Sequence, residues 1–221
     1  MLANLTRWVR ILVPQPKHSG PFGARCALVG EALRGSLRWL CVFIAHLPAG
    51  YLVALVVERA TSSTAAPTSA PRALRRALLV GAVAPDADLL WWWWVDHGAV
   101  HHHRYATHLP AVWLASLVLA TLWRVSAQTA VLRGALLGLS LGALVHVLLD
   151  TVAGDIAWLW PVDDRFFSLV RVPATGGHWV RSFVTHWTFL LELSLVGVAA
   201  LLLFARRRRP GTKEGEGARS S

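Results

Sequence analysis

The chain has 221 residues, with 22 Lys and Arg against 12 Asp and Glu, so its formal net charge is +10. Hydrophobic residues make up 55% of the chain and charged residues only 15%, well below the roughly 25% of a soluble domain. With two cysteines, Cys26 and Cys41, this composition excludes a disordered chain, a disulfide framework and a cysteine-rich zinc module. It favours a small integral membrane protein.

Residues 1–36 are predicted to form a leader. Apolar residues recur at helical spacing from Leu2 to Leu12, with arginines between them, which predicts a short interfacial helix followed by a loop. A membrane-embedded domain is expected over 37–205 and a disordered basic tail over 206–221. Lys and Arg are concentrated near the two ends of the chain, as expected for contact with anionic lipid headgroups, so membrane lipids rather than nucleic acid are the expected partners.

Five apolar runs follow the leader, and each has about the 20-residue length that a bilayer requires. They span residues 39–57, 77–95, 109–126, 131–149 and 183–205. The predicted fold class is an all-α, polytopic membrane helical bundle of four to five apolar helices. The first run is expected to break at Pro48 and Gly50 and to enter and leave on one side. Both termini would then face the cytoplasm, and the loops 96–108 and 151–182 would face outward.

Two aspartates interrupt the second run, in the sequence Pro85-Asp86-Ala87-Asp88. Facing lipid, they would together cost roughly 5–7 kcal/mol, so a compensating partner is expected. A regular helix would point them apart, whereas a break at Pro85 lets both carboxylates converge. The alternative without a functional site is that residues 85–88 form a surface loop beside an interfacial belt of tryptophans, 91–94.

Imidazoles and carboxylates recur near the ends of the third and fourth runs. His146 and Asp150 lie four apart and share a helical face. His103 and His108 precede the third run, so a hairpin of the two runs brings all four residues to one membrane face. The alternatives to a metal site are structural roles: a helix-capping aspartate, a hydrogen-bonded core histidine and a solvated histidine-rich loop.

Four further residues are candidates for the same centre. His46 lies beside the expected break in the first run. By itself, a lone histidine of this kind is more often a hydrogen-bonded core residue than a ligand. His102, His186 and Glu192 are secondary candidates.

Taken in order, these residues resemble the YdjM-like family of inner-membrane, metal-dependent hydrolases. The resemblance covers about residues 46–192 and rests on His46, Pro85-Asp86-Ala87-Asp88, His103-Arg104 with Thr107-His108, His146-x-x-x-Asp150-Thr151, Trp160-Pro161, and His186-Trp187-Thr188-Phe189 with Glu192. Two positions depart from the family pattern: Tyr105 replaces an expected Gly, and Leu109 replaces the more usual Ser.

The resemblance implies a multi-pass protein of the inner membrane with a metal centre. The expected metal ligands are His46, Asp86, Asp88, His103, His108, His146 and Asp150. Histidines and aspartates without cysteine suit zinc first, with manganese or iron as alternatives, and seven candidates allow one or two ions. Asp86 is the expected base and Arg104 the expected ligand of a phosphate oxygen, because a guanidinium can bind it bidentately.

Three functions remain open at this point. The first is a membrane hydrolase acting on a phosphoester or lipid-linked substrate, with the site leaning to the extracytoplasmic face. The second is a transporter or sensor of metal ions or protons that uses the same histidines and aspartates. The third is a structural or partner-binding membrane protein with incidental histidines.

Overall fold

The computed structural model describes residues 44–61, 69–97, 101–124, 126, 128–173 and 179–208. The predicted interfacial helix of the leader lies outside these residues. The described chain is all-helical apart from one isolated antiparallel bridge, as the composition predicted. Its α-helices are α1 (His46–Thr61), α2 (Ser69–Gly81), α3 (Asp88–Trp94), α4 (Pro110–Leu122), α5 (Ala130–Ala153), α6 (Trp179–Val184) and α7 (Trp187–Arg207).

The expected break in the first run is wrong. α1 continues through Pro48 and Gly50 without interruption. Pro48 lies in the first turn, where a helix loses no backbone hydrogen bond to a missing N–H. Gly50 allows a close approach, since a Cβ there would collide with the side chain of Ala82. The re-entrant topology therefore has no basis in the geometry of α1.

Helices α2 and α5 pack with their backbones almost in contact. Gly134, Gly138 and Gly142 recur every four residues on the side of α5 that faces α2. A Cβ at any of them would collide with a backbone carbonyl of α2. Small residues at this spacing are the usual means of close helix packing in membranes. This contact holds the end of α5 against the segment that follows α2.

The second run is not one helix. It divides into α2, a 3₁₀ turn over Ala84–Ala87 and the short α3. Pro85 occupies the start of the 3₁₀ turn, where its missing N–H is tolerated, and it prevents a continuous helix. Asp86 and Asp88 consequently lie at a helix break, as expected.

Among the described helices, only α5 and α7 are long and apolar enough to cross a bilayer. α4 is apolar but has 13 residues, and α2 carries several arginines. The prediction of four to five spans is therefore unconfirmed. α7 continues to Arg207, beyond the residue at which the basic tail was expected to begin.

The loop that follows α5 is folded rather than merely polar. Ile156 and Phe167 form the antiparallel bridge, which turns the segment back on itself. Ala157 and Leu109 are buried together, with Trp160 and Phe166 packed against them. This packing presses the loop onto the segment that carries His108.

Candidate metal centre

The predicted ligands meet at one end of the helical bundle. His46 is the first residue of α1, and Asp86 lies in the 3₁₀ turn after α2. His103 and His108 belong to two further 3₁₀ turns just before α4. His146 and Asp150 lie in the last two turns of α5. Segments that are distant in the chain thus contribute to one buried cluster.

Asp150 and Asp86 lie at the centre of this cluster. Asp150 Oδ2 is 3.1 Å from Nε2 of His146, 3.6 Å from Nε2 of His108 and 3.7 Å from Nε2 of His103. Asp86 Oδ1 is 3.4 Å from Nε2 of His146 and 3.6 Å from Nε2 of His108. Ligand atoms at the 2.0–2.2 Å bond lengths typical of zinc are separated by about 3.3 Å in a tetrahedral site. The spacing therefore fits a shared divalent cation.

The histidine rings are held so that their Nε2 atoms face this point. Nδ1 of His146 donates to the carbonyl oxygen of Ala82 at 2.9 Å. A carbonyl only accepts, so Nδ1 carries a proton and Nε2 is the nitrogen that faces the cluster. Nε2 of His146, Nε2 of His108 and Oδ2 of Asp150 are all buried without a hydrogen-bond partner among the described residues. Buried polar atoms of this kind require an explanation, and a bound cation supplies one.

Asp88 contacts the opposite side of His108. Its Oδ2 is 2.7 Å from Nδ1 of His108, and it also accepts from the hydroxyl of Thr107. Metal-bound histidines characteristically donate their other ring N–H to a carboxylate. In this position Asp88 would orient a candidate ligand, whereas Oδ1 of Asp86 faces the shared point. The break at Pro85 makes the two roles possible, because it lets both carboxylates reach one imidazole.

His46 and His102 extend the cluster in two directions. Nε2 of His46 is 3.1 Å from Oδ1 of Asp150, and its ring lies 4.0 Å from that of His146. The ring of His102 lies 4.2 Å from that of His103. Three triplets have ligand atoms close enough to hold an ion: His102, His103 and His108; His46, His146 and Asp150; Asp86, His108 and His146. The triplets overlap, because His108 and His146 each belong to two of them.

The loop histidines differ in how they hold protons. Burial lowers the pKa of His102 to about 3 and holds the pKa of His103 well below its usual value. Burial also opposes protonation of His108, but the carboxylates of Asp86 and Asp88 outweigh it and raise that pKa to about 9. Since Nδ1 of His108 faces Asp88, the added proton occupies Nε2. A cation at the cluster must therefore displace a proton from His108.

Three predicted site residues lie outside the candidate metal triplets: Arg104, His186 and Glu192. The guanidinium of Arg104 lies 4.9 Å from the ring centre of Phe166, and the residue is half-buried. His186 caps α7, where its Nδ1 accepts from the backbone N–H of Thr188. Glu192 is half-buried on α7, and neither His186 nor Glu192 belongs to the triplets found in the described chain.

Several contributors were missed by the sequence reasoning. Ala82 orients His146 through a backbone carbonyl, and no side-chain pattern reports such a role. A Cβ on Gly154 would collide with the ring of His103, so this glycine makes room for a candidate ligand. Tyr105, noted as a departure from the family pattern, is buried and donates its hydroxyl to Asp96. The glycine after α5 and the tyrosine were visible in the sequence, but their partners were not.

The fold and the cluster define an all-helical membrane protein whose buried histidines and aspartates are able to hold a metal ion. The chain belongs to the YdjM inner membrane protein family, whose profile matches residues 42–210. This match confirms the resemblance noted in the sequence and, with the apolar helices, indicates an inner-membrane protein. No curated protein and no solved structure matches the chain.

Proposed function

We propose that this protein is a membrane-embedded, metal-dependent hydrolase that cleaves a phosphoester in a lipid-linked substrate. The convergence of His103, His108, His146, Asp86 and Asp150 from separate segments supports it most directly. Burying these groups without a cation would leave several polar atoms unsatisfied. The family match and the apolar helices support a reaction at a membrane.

Zinc is the metal that we propose first, with manganese or iron as alternatives, because the donors are imidazole nitrogens and carboxylate oxygens. Asp86, His108 and His146 would hold one ion, and the other two triplets, His46 with His146 and Asp150 or His102 with His103 and His108, are the candidates for a second. A bound divalent cation supplies Lewis acidity, which polarises a phosphoester oxygen and makes a water more acidic.

Two residues of the chain are assigned roles in the reaction. The side chain of Asp86 is 12% exposed, so it is the central carboxylate with some access to solvent, and it would accept the proton of the attacking water. Arg104, adjacent to His103, would bind a phosphate oxygen. Asp86 is assigned by its access to solvent within the cluster, and Arg104 by its positive charge beside His103.

The helix ends suggest which face of the membrane carries the site. Glu58, near the end of α1, accepts hydrogen bonds from Arg75 of α2 and Arg206 of α7. Arg133 lies in the first turn of α5, at the opposite end from Asp150. One end of the bundle is therefore basic and the other carries the cluster. By the positive-inside rule, we infer that the cluster faces the extracytoplasmic side.

The transporter alternative has less support from the same helices. A transporter needs a polar route through the bilayer. Between Arg133 and His146 the buried residues of α5 are small, and Ser140 is the polar one, hydrogen-bonded to Ser116 at 2.8 Å. The polar groups of α5 are thus concentrated at its C-terminal end, which favours a site on one side of the membrane.

Metal content and phosphate release together test the proposal. We expect purified protein, incubated with zinc and desalted, to retain about one or two equivalents, and His146→Ala to retain far less. Zinc-loaded protein should release phosphate from vesicles containing phosphatidic acid, whereas Arg104→Gln, which leaves the candidate ligands intact, should retain zinc and release little. Equal zinc content in wild type and His146→Ala would contradict the proposed metal centre. Retained zinc without phosphate release from any phosphate-bearing lipid would contradict the proposed hydrolase activity.

A further inference from the structure

An apolar groove lies between the last turns of α5 and the folded loop that follows it. Its volume is about 570 Å³, within the range of small-molecule sites. Most of its wall is apolar and includes Leu148, Leu159, Phe166 and Leu169. Thr151 and the ion pair of Asp163 with Arg165 also line it.

One side of the groove is continuous with the lipid-facing surface. Leu148 is 58% exposed although it belongs to a helix apolar enough to span the membrane. Leu159 and Leu169, on the opposite wall, are 62% and 64% exposed. An exposed leucine on a membrane span faces hydrocarbon, so the Leu148 side of the groove opens toward acyl chains.

The inner wall of the groove adjoins the cluster. Thr151 follows Asp150 directly, and its hydroxyl accepts from Nε1 of Trp158 at 2.9 Å. Phe166 carries the guanidinium of Arg104 on its ring face. Within the described chain, Arg104 makes no ion pair, so its charge is available to an anion from outside the protein.

We propose that this groove binds one alkyl chain of a phosphate-bearing membrane lipid, with the phosphate at Arg104. The groove is continuous with the hydrocarbon at one side and adjoins a free cation at the other, and an anionic amphiphile matches both. This assignment names the substrate class of the proposed hydrolase and rests on that function for the reaction. Binding itself requires no turnover.

Photocrosslinking of the full chain tests the groove. The probe is phosphatidic acid with a diazirine near the end of one acyl chain, irradiated with the zinc-loaded protein in nanodiscs. We expect adducts between residues 148 and 169 to exceed those on Leu201, which is exposed on α7. An arginine in an apolar groove is strongly disfavoured beside hydrocarbon, so Leu159→Arg should lower the groove adducts by about tenfold or more.

Matched variants separate the possible outcomes. Val162→Arg lies in the same loop but outside the groove wall and should leave the adducts unchanged. Arg104→Gln should reduce adducts of the phosphatidic acid probe but not those of a diacylglycerol probe with the same chain. His146→Ala, the variant that tests the metal centre, should still form the groove adducts with the phosphatidic acid probe. Adducts spread evenly over groove and Leu201, or equal effects of the two arginine variants, would overturn the proposal even if zinc binding and phosphate release hold.

Discussion

Asp88 and His108 are joined by a contact of 2.7 Å between a carboxylate oxygen and Nδ1 of the imidazole. The contact fixes which nitrogen of His108 faces Asp86 and Asp150. An aspartate that the sequence suggested as a metal ligand therefore lies where it would orient a candidate ligand. The distinction has a measurable consequence.

Asp88→Asn should weaken zinc binding by about 10–100-fold without abolishing it, because the amide oxygen still accepts from His108 but lacks the charge. Competition with a chelator of known affinity measures the change. Asp155→Asn is the matched control, since Asp155 is exposed and hydrogen-bonded to Ser168 outside the cluster. Complete loss of zinc with Asp88→Asn would indicate a direct ligand.

Gly154→Ala should displace the ring of His103, because the added Cβ would overlap that ring. We expect zinc affinity or stoichiometry to fall, because the ring of His103 is the nearest obstacle; the backbone carbonyl of Asp150, 2.9 Å from the added Cβ, must also shift slightly. Zinc titration followed by thermal unfolding separates the two effects. If His103→Ala and Gly154→Ala each reduce binding and the double variant reduces it no further, the glycine acts through His103.

The glycine stripe on α5 should be sensitive to a single methyl group. At Gly138 a Cβ would collide with the backbone carbonyl of Leu74, so the helices must separate. Gly138→Ala should destabilise the protein by about 1–3 kcal/mol. Gly197→Ala is the control, because nothing lies within 4 Å of a Cβ there, and it should be neutral or stabilising by about 0.5–1 kcal/mol. Unfolding in detergent compares them, and equal stability of the two variants would contradict the packing account.

Zinc affinity should rise with pH up to about 9. The metal-free His108 has a pKa of about 9, so below that pH a proton occupies the Nε2 that a cation needs. Falling pH therefore strengthens the competitor, and the apparent affinity should drop by up to about tenfold per pH unit from this group alone. Titrations at pH 6, 7, 8 and 9 measure the slope. An affinity that is flat over this range would show that no protonated ligand is displaced.

The inferred orientation of the bundle can be tested with single cysteines. After Cys26 and Cys41 are replaced by serine, a cysteine at Val162 should react with a membrane-impermeant maleimide added to intact cells, because it is 94% exposed near the cluster. A cysteine at Ala205, near the basic end of α7, should react only after permeabilisation. The reverse pattern would place the cluster on the cytoplasmic side.

The sequence by itself determined the class of protein and the chemical types at its centre. The apolar runs and the low charged fraction predicted membrane helices, of which the described chain has two of sufficient length. The aspartates within the second run predicted a compensating partner. The family was also evident from the order of His46, Asp86, His108 and His146, and the profile over 42–210 confirms it. These inferences rest on composition and spacing, which a linear chain contains in full.

Only the tertiary structure decided how the groups are arranged. Whether Asp86 or Asp88 faces the shared point depends on the backbone path after Pro85, and the two are equivalent by composition. The roles of the Ala82 carbonyl and of Gly154 arise from close packing between segments far apart in the chain. α1 passes Pro48 unbroken because a proline in the first turn costs no hydrogen bond, which depends on where the helix begins. Such relations are set by three-dimensional contact, and a pattern of residue types does not contain them.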